Sequence, residues 1–481
     1  MPLIITITVF LYLLLHKRKQ AAVPSAPSLP SPPGPVGLPL VGSALHFIGP
    51  FSRSPHAVLT RLAETNRPVM SFRPGMAGNF VAVSSPAAAR EALVDNDAAL
   101  APRFVPDVAC ALAHSSESIS FLPTSSPLWR QHRATVGAHL SAARSLDATR
   151  QSMMRTRSGT LVGVGEAVLD SVLDVVSNIL FSEDVVNTRV QGDTLFSDLV
   201  AVLEDWTRPN VSDAFPFLAP IDLLGSRHRV SRGLTKLYKF FDEEFVERRL
   251  LANGENHGDL LDVVLARHAK SGRITVEWAM ALLLKHQDKM KKVQAELVAT
   301  LGSKDFVEER DLNKLPYLQA VIKETLRLQP PAPLLPRQVV KDGMSLGGFS
   351  VPILALTFSS TYGPSGGTQR FLGKQAADFR GLDFAYKPFG AGRRMCPGLD
   401  FATRLVPPLL ASILHKIEWR LPGGMAPKDV DLRDRYSTAA GTGGSTRGWA
   451  AAHPKIWPKE SPPLPEARSR EAVAASRRFS V

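Results

Sequence analysis

One decapeptide constrains this chain more than any other stretch: Phe389-Gly390-Ala391-Gly392-Arg393-Arg394-Met395-Cys396-Pro397-Gly398. Its glycines permit a tight loop with close backbone approach, and the loop presents one thiol with cationic neighbours that favour the thiolate form. A lone cysteine is usually a small buried hydrophobe, so the residues alone leave both readings open. The other cysteine, Cys110, is far away in sequence. Two such cysteines make no multi-bridge framework and no paired zinc spacing, and a reducing compartment fits them best.

At 481 residues and 44% hydrophobic content the chain can bury one large core or two ordinary ones. A net charge of +13 admits nucleic acid, an acidic membrane surface or an acidic protein as partner. No nucleic-acid motif with interleaved aromatics accompanies that charge. Leu3 to Leu15 form an uncharged apolar run that stops at His16-Lys17-Arg18-Lys19. A cleaved leader carries its positive charge before the apolar run, so residues 1–19 read as a membrane anchor, with the remainder on the cytosolic side. At about 1.5 Å per residue the run reaches roughly 20 Å, short of the ~30 Å hydrocarbon core, and an amphipathic N-terminal helix is the alternative.

Residues 20–39 are dense in proline and glycine, which excludes helix and predicts a stiff extended hinge. From residue 40 to 425 the dominant pattern is helical. Val168 to Phe181 and Trp278 to Leu301 carry apolar residues at three- and four-residue spacing. Val69 to Phe72, Phe80 to Val83 and the stretch around Val339 to Val351 favour strands, with Gly343 and Gly347-Gly348 as turns. The expected fold class is therefore mainly α with small β-sheets. Residues 426–481 shift to Ala, Gly, Ser, Pro and Arg without periodicity, which predicts a divergent, disordered tail.

Phe389, Gly392, Arg394, Cys396 and Gly398 stand at the spacings FxxGxRxCxG, and in this the chain resembles the haem-thiolate monooxygenases of the cytochrome P-450 family. The resemblance implies that Cys396 ligates the iron of haem b, where the thiolate favours O–O cleavage, and that Arg394 pairs with a propionate. Glu324 and Arg327, three apart on a helix ended by Pro330-Pro331, would alone be an ordinary surface ion pair. By resemblance they are the family's ExxR pair, with Arg370 before Phe371 as its third member, although Thr368 and Gln369 replace the usual proline and glutamate. Trp129 and Arg133 lie one helical turn apart and could simply stack. By resemblance both serve the propionates, as does Arg337. Asn210 to Gly225, Phe240 to Leu250 and Asp378 to Pro422 are most similar to plant geraniol hydroxylases and diterpenoid hydroxylases.

Three departures mark the chain. The acid-alcohol motif (A/G)Gx(D/E)T is absent, and Ala269-Lys270-Ser271-Gly272-Arg273 runs almost directly into Thr275-Val276-Glu277-Trp278, so the central helix is expected to be incomplete. Ala440 to Gly444 is a decoy without a carboxylate. The stretch from Pro352 to Arg370 is shortened, and after Asp429 to Arg435 the family text stops. No Rossmann fingerprint is present, so the resemblance implies that electrons come from NADPH through NADPH-cytochrome P-450 reductase. It further implies an apolar small-molecule substrate contacted from Phe104 to Phe121 and Pro331 to Leu335, and residence in the endoplasmic reticulum membrane. Lys387, Arg393 and Arg394 are candidates for a positive docking face, for solvation or for propionates. Two other readings are a catalytically impaired haem-binding remnant and a hydroperoxide-rearranging enzyme, whose typical loop insertion is lacking here.

Overall fold

Leu318, Val321, Ile322 and Thr325 share the buried face of a helix that begins at Pro316 and stops at Leu328, because Gln329, preceding Pro330, is forced out of the helical region. Around it, a computed structural model describes residues 29–47, 55–66, 68–140, 198, 201–206, 210–243, 265–302, 304, 307, 309–341, 343–352, 356–360, 368–372, 378–416, 418–421, 425–430, 432 and 457–459. The longer helices are α1 (Pro55–Asn66), α2 (Pro127–Leu140), α3 (Ser226–Phe241), α4 (Leu265–Lys285), α5 (Gln287–Leu301), α6 (Pro316–Leu328) and α7 (Leu399–Lys416). The fold is mainly α with small sheets, as the periodicity predicts. The proposed anchor, residues 1–19, and the predicted helix Val168 to Phe181 lie outside the described residues. Among those described, no helix is long and apolar enough to cross a membrane.

The main core lies between α4, α5, α6 and α7, with Leu284, Leu297, Leu318 and Leu410 fully buried. α4 runs unbroken through the Arg273–Thr275 junction, so the shortening predicted for the central helix leaves a continuous helix of 21 residues. The apolar stretch Trp278 to Leu301 is two helices rather than one. His286 adopts a non-helical conformation between α4 and α5, and the Gln287 side chain donates back to the Leu284 carbonyl.

Strands β1 (Val69–Phe72), β2 (Phe80–Val83), β3 (Leu334–Gln338) and β6 (Leu356–Ser360) form one sheet in the order β1-β2-β6-β3. β1 and β2 pair antiparallel, β6 runs parallel to β2, and β3 is antiparallel to β6 with Arg337 opposite Thr357. β4 (Met344–Leu346) and β5 (Phe349–Val351) make the hairpin that Gly347-Gly348 predicts, both glycines at positive φ. Sequence reasoning overlooked β3, where Pro336 argues against a strand, and β6.

Two expected boundaries shift. The second half of the proline segment belongs to the body: Pro30 accepts from Ser350 N and Pro33 from Ser71 N. Past residue 425, Val430 is buried and accepts from Lys285 Nζ, and Leu432 packs on Trp278 and Ala281 of α4. Trp457–Lys459 pairs with Glu418–Arg420. The segment after 425 thus supplies apolar cover that the core otherwise lacks.

Candidate functional site

The loop from Phe389 to Gly398 is built around backbone approaches that only glycine allows. Gly390 and Gly392 both have positive φ. A Cβ on Gly392 would lie 2.2 Å from the Leu93 carbonyl oxygen. The turn closes through Gly390 N to the Lys387 carbonyl and Cys396 N to the Phe389 carbonyl, 3.0 and 2.9 Å. Phe389 packs edge-on against Phe379, with centroids 5.8 Å apart. Cys396 is half-buried and not in a disulfide, and Pro397-Gly398 lead directly into α7, whose first-turn hydrogen bond runs from Ala402 N to the Gly398 carbonyl. The thiol thus stands at the positive end of an 18-residue helix, where a thiolate is favoured.

Trp129 and Arg133 of α2 meet Arg394 beside this loop. The Arg133 and Arg394 guanidinium carbons lie 5.9 and 5.2 Å from the Trp129 ring centroid. Burial lowers the pKa of Arg133, and the opposing influence is the negative charge of Cys396. Arg394 is buried and donates from Nε to the Ala101 carbonyl, from Nη1 to Ile119 and from Nη2 to Leu122. Arg337 is buried on β3, one alternate position from Leu335, and Leu335 lies 3.8 Å from where a Gly390 Cβ would stand. A soft thiolate with guanidinium and indole donors is a donor set that fits haem b: an iron ligand on one side, partners for two carboxylates on the other.

The second cluster is separate. Glu324 and Arg327 form a buried bidentate pair, Nε to Oε2 at 2.7 Å and Nη2 to Oε1 at 2.8 Å. The hydrogen bonds that Arg327 donates to Glu324 raise its pKa. Arg370 and Phe371 lie on a short turn, Thr368–Phe371, packed against α6. Phe371 packs against Tyr386 with ring centroids 5.0 Å apart and the planes tilted by 51°, and the Tyr386 hydroxyl donates to the Lys323 carbonyl. Burial pushes the Tyr386 phenol well above its ordinary pKa. Tyr386 was not singled out in the sequence, although its place three residues before Phe389 marks it.

The cation assignments need correction. Lys387 and Arg394 are buried, so neither contributes to an exposed docking face. Arg393 is exposed and already paired with Asp97 at 2.5 Å. Which cations the closed loop turns inward cannot be read from residue type alone.

A mainly helical body that holds a half-buried cysteine at a helix N-terminus, beside clustered arginines, defines a haem-thiolate class of protein. The sequence profile of the cytochrome P-450 family matches residues 32–274, 273–353 and 367–441. The chain belongs to the cytochrome P-450 family and is a monooxygenase by that membership. It is 37% identical to Ent-cassadiene C11-alpha-hydroxylase 1 of Oryza sativa subsp. japonica, over 84% of this chain and 89% of that one. To Oryzalexin E synthase of the same plant it is 36% identical, over 90% and 93%. To Geraniol 8-hydroxylase of Catharanthus roseus it is 34% identical, over 83% and 89%. The profile match is interrupted at residues 273–274 and again from 353 to 367, the two places where the sequence reads as shortened.

Proposed function

We propose that this chain inserts one oxygen atom from O2 into a terpenoid, with Cys396 as the haem iron ligand and electrons delivered from NADPH by NADPH-cytochrome P-450 reductase. The observation that carries the reading is Cys396 at the N-terminus of α7 with Arg133, Arg394 and Trp129 gathered beside it. Bound there, haem supplies the iron centre for oxygen activation. Arg394, Arg133, Trp129 and Arg337 orient it through its carboxylates, and Phe389, Gly392 and Gly398 shape the ligand loop. Glu324, Arg327 and Arg370 hold the helix behind that loop. The names of the similar plant proteins support the terpenoid assignment. Residues 1–19 anchor the chain in the endoplasmic reticulum membrane, with the body from about residue 40 in the cytosol.

The interrupted profile match and the missing acid-alcohol text favour a second reading, a haem-binding chain impaired in proton delivery. One experiment separates the two. The reduced, carbon-monoxide-bound spectrum of the expressed chain is recorded, followed by turnover of terpenoids with reductase. A thiolate-type Soret band that disappears in Cys396→Ser, together with turnover, supports monooxygenation. The band without turnover supports the second reading. Full occupancy by haem with no thiolate band would overturn the ligand assignment.

A further inference from the structure

The segment from Asn210 to Leu224 crosses the body as a strap whose large apolar side chains Phe217, Ile221, Leu223 and Leu224 are exposed. Polar contacts fasten it. Met76 N donates to the Ala214 carbonyl at 2.8 Å, and Asp107 N donates to Asp213 Oδ1 at 2.7 Å. Arg227, in the first turn of α3, ties the other side, its Nη2 reaching Asp107 Oδ1 at 2.9 Å and donating to the Ala219 carbonyl. The turn that begins at Asp107 continues to Ile119 and Leu122, whose carbonyls hold Arg394, so the strap is fastened to the stretch that also supports the cysteine loop.

This cluster is short of one proton. Arg227 neutralises only one of the two carboxylates, and among the described residues Asp107 Oδ2 is buried without a hydrogen-bond partner. The other charges on the elements packed here are Arg103 upstream of Asp107, Arg73 on the segment carrying Met76, Asp222 and His228 joined at the start of α3, and Arg229 engaged by Asp205. Of all these, the charge that acts on Asp213 is that of Asp107. Neighbouring carboxyls disfavour double ionisation, and a protonated Asp213 supplies the O–H donor for Asp107 Oδ2. We infer that Asp213 and Asp107 form a proton-dependent clasp, which holds the strap on the Asp107 turn while the pair keeps a proton and releases it when the proton leaves. Burial, aided by the Asp107 charge and opposed by the bond from Asp107 N, raises Asp213 from 3.8 to about 6. The fastened strap therefore keeps its proton to about 6 and the released strap only to 3.8, so fastening weakens as pH rises. Between pH 5 and 7.5 the closing constant falls about 10-fold.

The test is hydrogen exchange, read by mass spectrometry on the full chain and on Asp213→Asn at pH 5, 6, 7 and 7.5, with rates corrected for their intrinsic pH dependence. In the unaltered chain, protection of peptides spanning 74–78, 105–109 and 210–216 should fall about 10-fold from pH 5 to 7.5, with α5 and α6 unchanged. In Asp213→Asn, whose amide donates in place of the carboxyl proton, those peptides should keep their pH 5 protection throughout. A flat profile in the unaltered chain, the same slope in the variant, or a loss of protection shared by α5 and α6 overturns the clasp. Should Asp213→Asn fail to accumulate, Asp107→Asn carries the comparison. With the second carboxylate gone the midpoint of release moves to lower pH, and an unmoved midpoint overturns the pairing.

Discussion

Replacing Lys387 by methionine should stabilise this protein at neutral pH. Lys387 is 4% exposed, and its ammonium donates to the Phe384 carbonyl at 3.0 Å. Burial pulls its pKa from 10.5 to about 8, against the raising influence of Asp383. The unfolded chain therefore keeps this proton up to 10.5, whereas the folded chain releases it from about 8. Between those values the unfolded state binds more protons, so stability climbs with pH. At about 1.4 kcal/mol per pH unit the whole interval amounts to about 3 kcal/mol, and at pH 7 that penalty is fully present. Methionine keeps a long flexible side chain without charge. It also forfeits the bond to Phe384, a loss of about 1–2 kcal/mol, which leaves a net gain of about 1–2 kcal/mol. The assay is urea unfolding of both proteins at pH 7, 8, 9 and 9.5, read as the difference between them. The gain should be largest at pH 7 and shrink as pH rises. A variant less stable at pH 7, with the same pH slope as the parent, would refute the reasoning.

Glu324→Gln leaves the Arg327 guanidinium buried without its charged partner, and the unfolding free energy should fall by about 3–5 kcal/mol in denaturant titration. Gly392→Ala places a Cβ against the Leu93 carbonyl at a left-handed backbone position; haem content per polypeptide should drop, with at least about 1–2 kcal/mol of stability lost. Gly137→Ala, inside α2 with nothing within 4 Å of the new Cβ, should instead stabilise by up to about 1 kcal/mol, seen as a higher unfolding midpoint. Asp213 is raised from 3.8 to about 6, chiefly by burial, so the folded chain holds that proton longer and stability falls as pH rises from 3.8 to about 6. Asp213→Asn keeps an acceptor for Asp107 N and should abolish that slope while stabilising at pH 7 by about 1–3 kcal/mol; an unchanged slope in the acid unfolding profile would count against it.

Much of the site was legible because its motifs are local. Glu324 and Arg327 pair as helical neighbours three apart, and Trp129 and Arg133 share a face one turn apart, geometries set by helical pitch before any packing. Gly347-Gly348 likewise announces its hairpin. Less legible were β3 and β6, since a strand containing Pro336 is admitted only by partners distant in sequence. The end of the packed body was misread for a similar reason: Val430 and Leu432 carry no periodicity, yet α4 offers Trp278 and Lys285 for them to cover.

The sequence by itself determined which residue types stand at which spacing: the Phe389 to Gly398 loop, the ion pair in α6, the shortened central segment and the resemblance these carry. Only the tertiary structure decided which side each cation faces. Lys387 and Arg394 are turned inward, Arg393 outward to Asp97, and Asp213 is set against Asp107. Spacing along a chain sets local geometry through fixed helical and strand repeats. Burial and hydrogen-bond partners arise from contacts between segments hundreds of residues apart, such as Arg394 with Ala101, and those exist only once the chain has packed.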